Sequence, residues 1–141
     1  MEPREVHGRA APTSLQEFLR PVLIDTTQLA LERTISGAAQ RHEALAANLA
    51  NATTPGYQRV DVDFHGALAA ALGSDDARHA VESTGFTTQA DQSVGATKAD
   101  GGSIDVDAES AKLAANALEQ QAAVAVAKTR NAILRSAMGV A

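Results

Sequence analysis

Between residues 25 and 52 the side chains that can be buried recur at alternating steps of four and three: Leu31, Ile35, Ala38, His42, Leu45, Leu49 and Ala52. That spacing is the seam of a coiled-coil heptad and predicts a long amphipathic helix with one polar interruption, His42. Three start signals precede it. Asp25 suits an N-cap, Gln28 stands where a capping box places its partner, and Ile24 and Leu29 are spaced as a hydrophobic staple. Carried to Asn51, the helix would be on the order of 40 Å long at the usual rise per residue.

The stretch "NLANATTPGYQRVDVDF", residues 48–64, must end it. Pro55 disfavours helical dihedrals at Thr54, and Pro-Gly in the two central places of Thr54, Pro55, Gly56 and Tyr57 is the signature of a type II turn. Beyond the turn, Val60, Val62 and Phe64 alternate with Asp61 and Asp63. The alternation predicts a short extended segment with one apolar and one acidic face, the acidic face turned to solvent.

A second helix is predicted over 108–138. Asp107 is its expected N-cap, acidic residues lead it, and Lys128, Arg130 and Arg135 gather toward its end before Gly139 closes it. Leu113, Ala117, Val124, Ala127, Leu134 and Met138 form a heptad stripe diluted by Gln120 and Asn131. Leu118, Val126 and Ile133 lie off that stripe, so the apolar surface is wider than a two-stranded seam needs, and a second partner surface follows.

Between the helices, residues 73–103 carry only Val81, Phe86 and Val94 as sizeable apolar anchors and read as a mobile loop holding a weak strand or hairpin. At the front, 1–13 reads as a flexible arm, and Ser14 with Glu17 could cap a short helical turn through Leu15, Phe18 and Leu19 that Pro21 interrupts. The chain therefore divides into an arm (1–22), a helix, turn and extended segment (23–64), a variable flexible middle (65–103) and a C-terminal helix (104–141). The expected class is mainly α: two long terminal helices packing as a coiled coil, a short extended segment, and a mobile, partly β middle.

Composition makes assembly central to this picture. Hydrophobic residues are 45% of the 141, but many are alanine and aromatics are only 3%, so the apolar area available for a core is small. Ordering each residue costs roughly 1 to 2 kcal/mol, which a narrow alanine-rich seam barely offsets. Association with further copies or related subunits is the natural source of stability. A net charge of -5 argues against nucleic acid and anionic lipid, which select clustered Lys and Arg. Without cysteine there is no disulfide framework, thiolate zinc site or Cys nucleophile. The first residues lack the apolar run of a cleaved secretory signal, and no stretch is apolar enough to be inserted in a bilayer.

Candidate chemistry is sparse. There is no phosphate-binding Gly loop, no nucleophile elbow and no His pair at zinc spacing. His42 reads as a packed or partner-facing residue, and His65 and His79 as solvated loop residues. Asp105, Asp107 and Glu109 imitate the start of a calcium loop, but Ser110 replaces its required Gly and Asn116 its closing Glu. Asn51-Ala-Thr matches a glycosylation acceptor by letter only. We expect no enzyme activity, no cofactor, no metal and no small-molecule substrate. Periodicity alone would prefer an ordinary helical hairpin or dimeric coiled coil, and so a soluble helical coiled-coil adaptor or a secretion-linked chaperone.

The segment "LAANLANATTPGYQRVDVDF" resembles the N-terminal signature of the flagellar axial proteins, the rod and hook family. Asn48, Asn51, Thr54, Pro55, Gly56 and Tyr57 match it residue by residue. "IDVDAESAKLAANALEQQ" is similar to the C-terminal signature of the proximal-rod members, in which a V/I-D-x-D-x-E lead-in precedes an A-x-N-x-L-x-x-Q core. Asp105, Asp107, Glu109, Ala114, Asn116, Leu118 and Gln121 fit, while Gln120 stands where the family often has Tyr. The resemblance spans 23–64 and 104–138.

It implies a structural subunit of the proximal rod of the flagellar basal body, part of the drive shaft that transmits torque. Such a subunit would be exported by the flagellar type III apparatus without signal cleavage and would assemble in the periplasm. Its implied partners are copies of itself, other rod subunits and the export-gate adaptor. The expected interaction residues are Leu31, Ile35, Leu45 and Leu49 on the first seam, Leu113, Val124, Leu134 and Met138 on the second, the turn residues Asn48, Asn51, Thr54, Pro55, Gly56 and Tyr57, and Asn116, Leu118 and Gln121.

Overall fold

A computed structural model of the chain describes residues 25–91 and 104–139. In order these form α1 (Thr26–Ala50), β1 (Val60–Asp61), α2 (Phe64–Leu72), α3 (Ala77–Ser83), β2 (Gln89–Ala90) and α4 (Val106–Ala137).

Helix α1 starts and stops where its sequence says it should. The Asp25 carboxylate accepts the Gln28 N–H at 2.9 Å. Gln28 does not complete the capping box, because its side-chain amide donates to Glu32 at 3.0 Å instead of reaching back. Ile24, the outer half of the expected staple, lies outside the described residues. At the far end Asn51 is the C-cap, its side-chain amide donating to the Ala47 carbonyl at 2.9 Å. The turn then closes as type II: Tyr57 N–H reaches the Thr54 carbonyl at 3.2 Å, and Gly56 takes a φ of 76°.

The chain returns along α1 as β1, which pairs antiparallel with β2 in the register Val60 to Ala90 and Asp61 to Gln89. Val62 and Phe64 are buried as the alternation predicts. The extended segment is shorter than expected, however. Asp63 accepts the Gly66 N–H at 2.9 Å and starts α2 at Phe64, so Phe64 is a helical residue and Asp63 a cap. Asp76 caps α3 in the same way through the His79 N–H at 3.2 Å, placing a second helix where a loop was expected. His65 and His79 therefore sit on helices, both exposed. Part of the looked-for β structure is β2; Val94 and the rest of 92–103 lie outside the described residues.

Ala38, Ala44, Val62 and Phe64 make the small core, with Val60 and Phe86 packed against it. The Phe64 and Phe86 rings meet edge to face, 6.1 Å between centroids. Phe64 presses directly on the backbone of α1. A Cβ on Gly37 would lie 2.5 Å from Phe64 Cβ, so this helix interior accepts glycine's poor propensity in exchange for contact.

Helix α4 crosses α1 antiparallel. Three contacts set the direction: Glu109 with Asn48, Asn116 with the Ala38 carbonyl at 2.8 Å, and Arg130 with Asp25. Asp105, rather than the expected Asp107, is the N-cap, accepting the N–H groups of Asp107 at 3.0 Å and Ala108 at 3.2 Å. Gly139 follows the C-cap with φ 69°, as its position past the last periodic residue suggests.

The face α4 turns to α1 differs from the predicted stripe. Its buried residues are Glu109, Asn116 and Ala123, a heptad line one position ahead of Ala117 and Val124. Leu113 and Leu134 flank this line half-buried, and Met138 is exposed. The reason is polar complementarity: Asn116 and Glu109 find partners on α1, an attraction that apolar periodicity does not register.

Gly37→Ala should lower stability by about 1–3 kcal/mol despite alanine's better helix propensity, because Phe64 has to move; a thermal melt at or above the wild-type midpoint would refute the close contact. The Asp25 carboxyl is held below its ordinary 3.8 first by the Gln28 N–H, and further by Arg130 against the opposing effect of burial. Its contribution is therefore complete above that value and disappears as pH falls through the lowered one. With the side chain 45% exposed, Asp25→Asn should cost about 0.5 kcal/mol or less at neutral pH, and the two proteins should converge in acid unfolding curves.

Candidate assembly interface

The signature turn is organised by one side chain. Asn48, in the last turn of α1, is completely buried. Its Oδ1 accepts the Val60 N–H at 2.9 Å while its Nδ2 donates to the Val60 carbonyl at 2.7 Å. In the β1–β2 pair, Asp91 N–H bonds the Arg59 carbonyl at 2.8 Å, so the peptide groups of Val60 face the other edge, where Asn48 waits. The carboxamide thus stands where a third strand's peptide would stand. Its remaining capacity is also used: Tyr57 Oη donates to Oδ1 at 3.3 Å, and Nδ2 donates to Glu109 Oε2 at 3.0 Å. Two donors and two acceptors are all an asparagine has.

Glu109 brings in α4. Its side chain is fully buried, 3.4 Å from Arg59 Nη1 and 3.2 Å from Lys112 Nζ. Arg59 extends the chain of charges to Asp91 at 2.6 Å. A carboxylate stripped of water costs several kcal/mol unless donors replace the lost hydration, and here Asn48, Arg59 and Lys112 do so. One network therefore joins the end of α1, both strands and the first turns of α4. A second clamp lies nearby: Arg41 grips Asp61 with two bonds of 2.8 and 2.9 Å, and the bond to Asp61 pushes the arginine's pKa further up. Asp61 is thus a half-buried ion-pair partner, not the solvent-facing carboxylate its alternation with valine suggests. His65 reaches Glu119 at 2.5 Å on the exposed side of α2.

The expected interaction residues separate into two groups. Leu45, Asn48 and Asn116 are buried inside the subunit, and Leu31, Ile35, Leu49, Asn51, Tyr57, Leu113, Val124 and Leu134 are half-buried. Thr54, Pro55, Gly56, Leu118, Gln121 and Met138 are exposed, as is His42. The first group includes the fasteners of the subunit; the second offers surface. Arg41, Arg59 and Asp91 are absent from the sequence expectation. The only trace they leave there is charge interrupting apolar runs, and their partners are far away in the chain.

Comparison with known proteins bears on the same residues. The family model described as Flagella basal body rod protein matches residues 29–58, which hold most of α1 and the whole turn. The flagellar basal body rod protein FlgB of Escherichia coli K12 is 37% identical over 98 residues, covering 59% of this chain and 71% of its own length. The chain belongs to the FlgB family of flagellar basal body rod proteins. FlgB of Proteus mirabilis HI4320 is 34% identical over 100 residues, 60% of this chain and 73% of its own. FlgB of Salmonella typhimurium LT2 shares 73% identity over a 26-residue stretch, 18% and 19% of the two chains. As an FlgB-family member the chain is a structural rod subunit of the basal body. The family model's matched stretch contains Asn48 together with Tyr57, one of its partners.

Asn48→Leu should destabilise the subunit by about 2–4 kcal/mol, because the Val60 peptide and the buried Glu109 carboxylate lose hydrogen bonds that leucine cannot make. Chemical denaturation checks this; a change under about 0.5 kcal/mol would mean that the network is dispensable.

Proposed function

We propose that this rod subunit belongs to the proximal rod, where its two terminal helices pack in coiled-coil fashion with those of neighbouring subunits and carry torque along the drive shaft. The observation that carries this reading is the outer face of α4. Leu118 and Val126 are 67% and 53% exposed, with exposed Ala122 and Ala125 between them and exposed Ala115 one turn earlier. The face turned to α1 is centred on Glu109, Asn116 and Ala123, with Leu113, Val124 and Leu134 half-buried beside them. A helix whose most buried side chains are polar or small while a leucine and a valine stand in water is built for a neighbour, since that surface gains most from leaving water.

Copies of this chain, other rod subunits and an export-gate adaptor are the proposed partners, in the periplasm, after type III export without signal cleavage. The resemblance of the paired N- and C-terminal signatures supports each of these. A chain whose core is as small as Phe64 and its few neighbours is easily unfolded for threading, and completes its burial at the growing rod. The Thr54, Pro55 and Gly56 corner is a second exposed contact in this reading.

Leu118→Asp and Val126→Asp should leave the melting curve of the purified subunit nearly unchanged, because both side chains already face water, yet should abolish swimming and rod growth by placing a charge in a desolvated contact. Normal motility of the double variant would remove the outer face of α4 from the assembly. A subunit that binds one cytoplasmic protein at fixed stoichiometry while cells still build rods would favour the adaptor reading.

A further inference from the structure

The antiparallel register of α1 and α4 has an unequal end. Asp25 meets Arg130, and α1 begins at Thr26, whereas α4 runs on to Ala137. The overhang is about 10 Å at the helical rise per residue. It ends in apolar surface, with Ile133 63% and Met138 54% exposed. The same end of the seam carries two buried polar atoms that have no hydrogen-bond partner among the described residues, Arg130 Nε and Gln28 Oε1. Buried donors and acceptors of this kind ordinarily find a partner. The chain that leads into Asp25, "SLQEFLRPVLI", is the most apolar part of residues 1–24. Ten residues, 15–24, lead into Asp25, a length that spans the overhang at the helical rise.

We propose that segment 15–23 docks on the last two turns of α4, laying Phe18, Leu19 and Val22 over Ile133, Leu134 and Met138 and supplying polar groups to Arg130 and Gln28. The occupant is this chain's own segment because it is tethered at Asp25, directly beside the overhang. Tethering gives it an effective concentration that a separate molecule does not reach in dilute solution. The more N-terminal part of the outer face, around Leu118, stays open to other subunits, so this docking is independent of the rod assignment.

The chain has no cysteine, which makes the test clean. In the full-length protein at a dilution where it is monomeric, Val22→Cys with Ile133→Cys should oxidise to an intramolecular disulfide roughly ten-fold or more faster than Val22→Cys with Leu118→Cys, since only a docked segment holds the first pair within bonding distance. Equal rates for the two pairs would overturn the proposal. So would a product that is only the disulfide-linked dimer, which would give the overhang to a second copy. As a measurement free of engineered thiols, Phe18→Ser with Val22→Ser should raise amide hydrogen exchange in 131–137 and leave 109–123 unchanged. Unaltered exchange in 131–137 would equally overturn it.

Discussion

A single carboxamide sets the geometry on which the subunit depends. When α1 ends, the chain has to reverse and lie back against the helix it has just left, and the returning strand exposes a peptide group on the edge facing that helix. Asn48 presents a donor and an acceptor at the spacing the Val60 peptide needs, and its second hydrogen and second lone pair reach Glu109 and Tyr57. An aspartate would lack the donors, a glutamine would place the amide a bond too far, and an aliphatic residue would strand every partner at once. The turn, the strand pair and the start of α4 are consequently one cooperative unit.

The polar character of this junction extends along the whole helix pair. Glu109, Asn116 and Ala123 form the buried line of α4, and Arg130 meets Asp25 at the far end. Such contacts define register well, because a slip of one residue would orphan buried groups, but they contribute less stabilising burial than leucines would. Leu118 and Val126, which could have supplied more, stand outside. In the proposed packing the two faces of α4 divide the work, polar groups specifying the subunit and apolar groups meeting neighbours, which would couple the completion of burial to arrival at the rod.

Individual elements depart from their simple periodicity for two reasons, a local cap or a distant partner. Phe64 alternates with Val60 and Val62 and so belongs to a strand by periodicity, yet Asp63 offers its carboxylate to Gly66 and turns the chain into a helix. Asp76 does the same for α3. Both caps are local signals, set within a two-residue alternation and a loop-like composition. The stripe of α4 was displaced by one position for a different reason: apolar spacing ranks Ala117 and Val124 above Asn116 and Glu109, while the packed helices follow hydrogen bonds. Gly37 gave no warning at all, since its necessity lies in the ring of Phe64, which follows it after a full reversal of the chain.

By itself the sequence determined the two long helices, the start at Asp25, the stop at Asn51, the type II turn with Gly56 at positive φ, and the family signatures at both ends. All of these are decided by residues within a few positions of one another, through caps, proline sterics and helical period. Tertiary structure alone decided which face of α4 is inward, that Arg41 holds Asp61, that Arg59 and Lys112 surround Glu109, and that Asn48 completes a sheet edge. Those choices depend on groups brought together across the fold, where the cost of leaving a buried charge or peptide unpaired outweighs the preference of any local pattern.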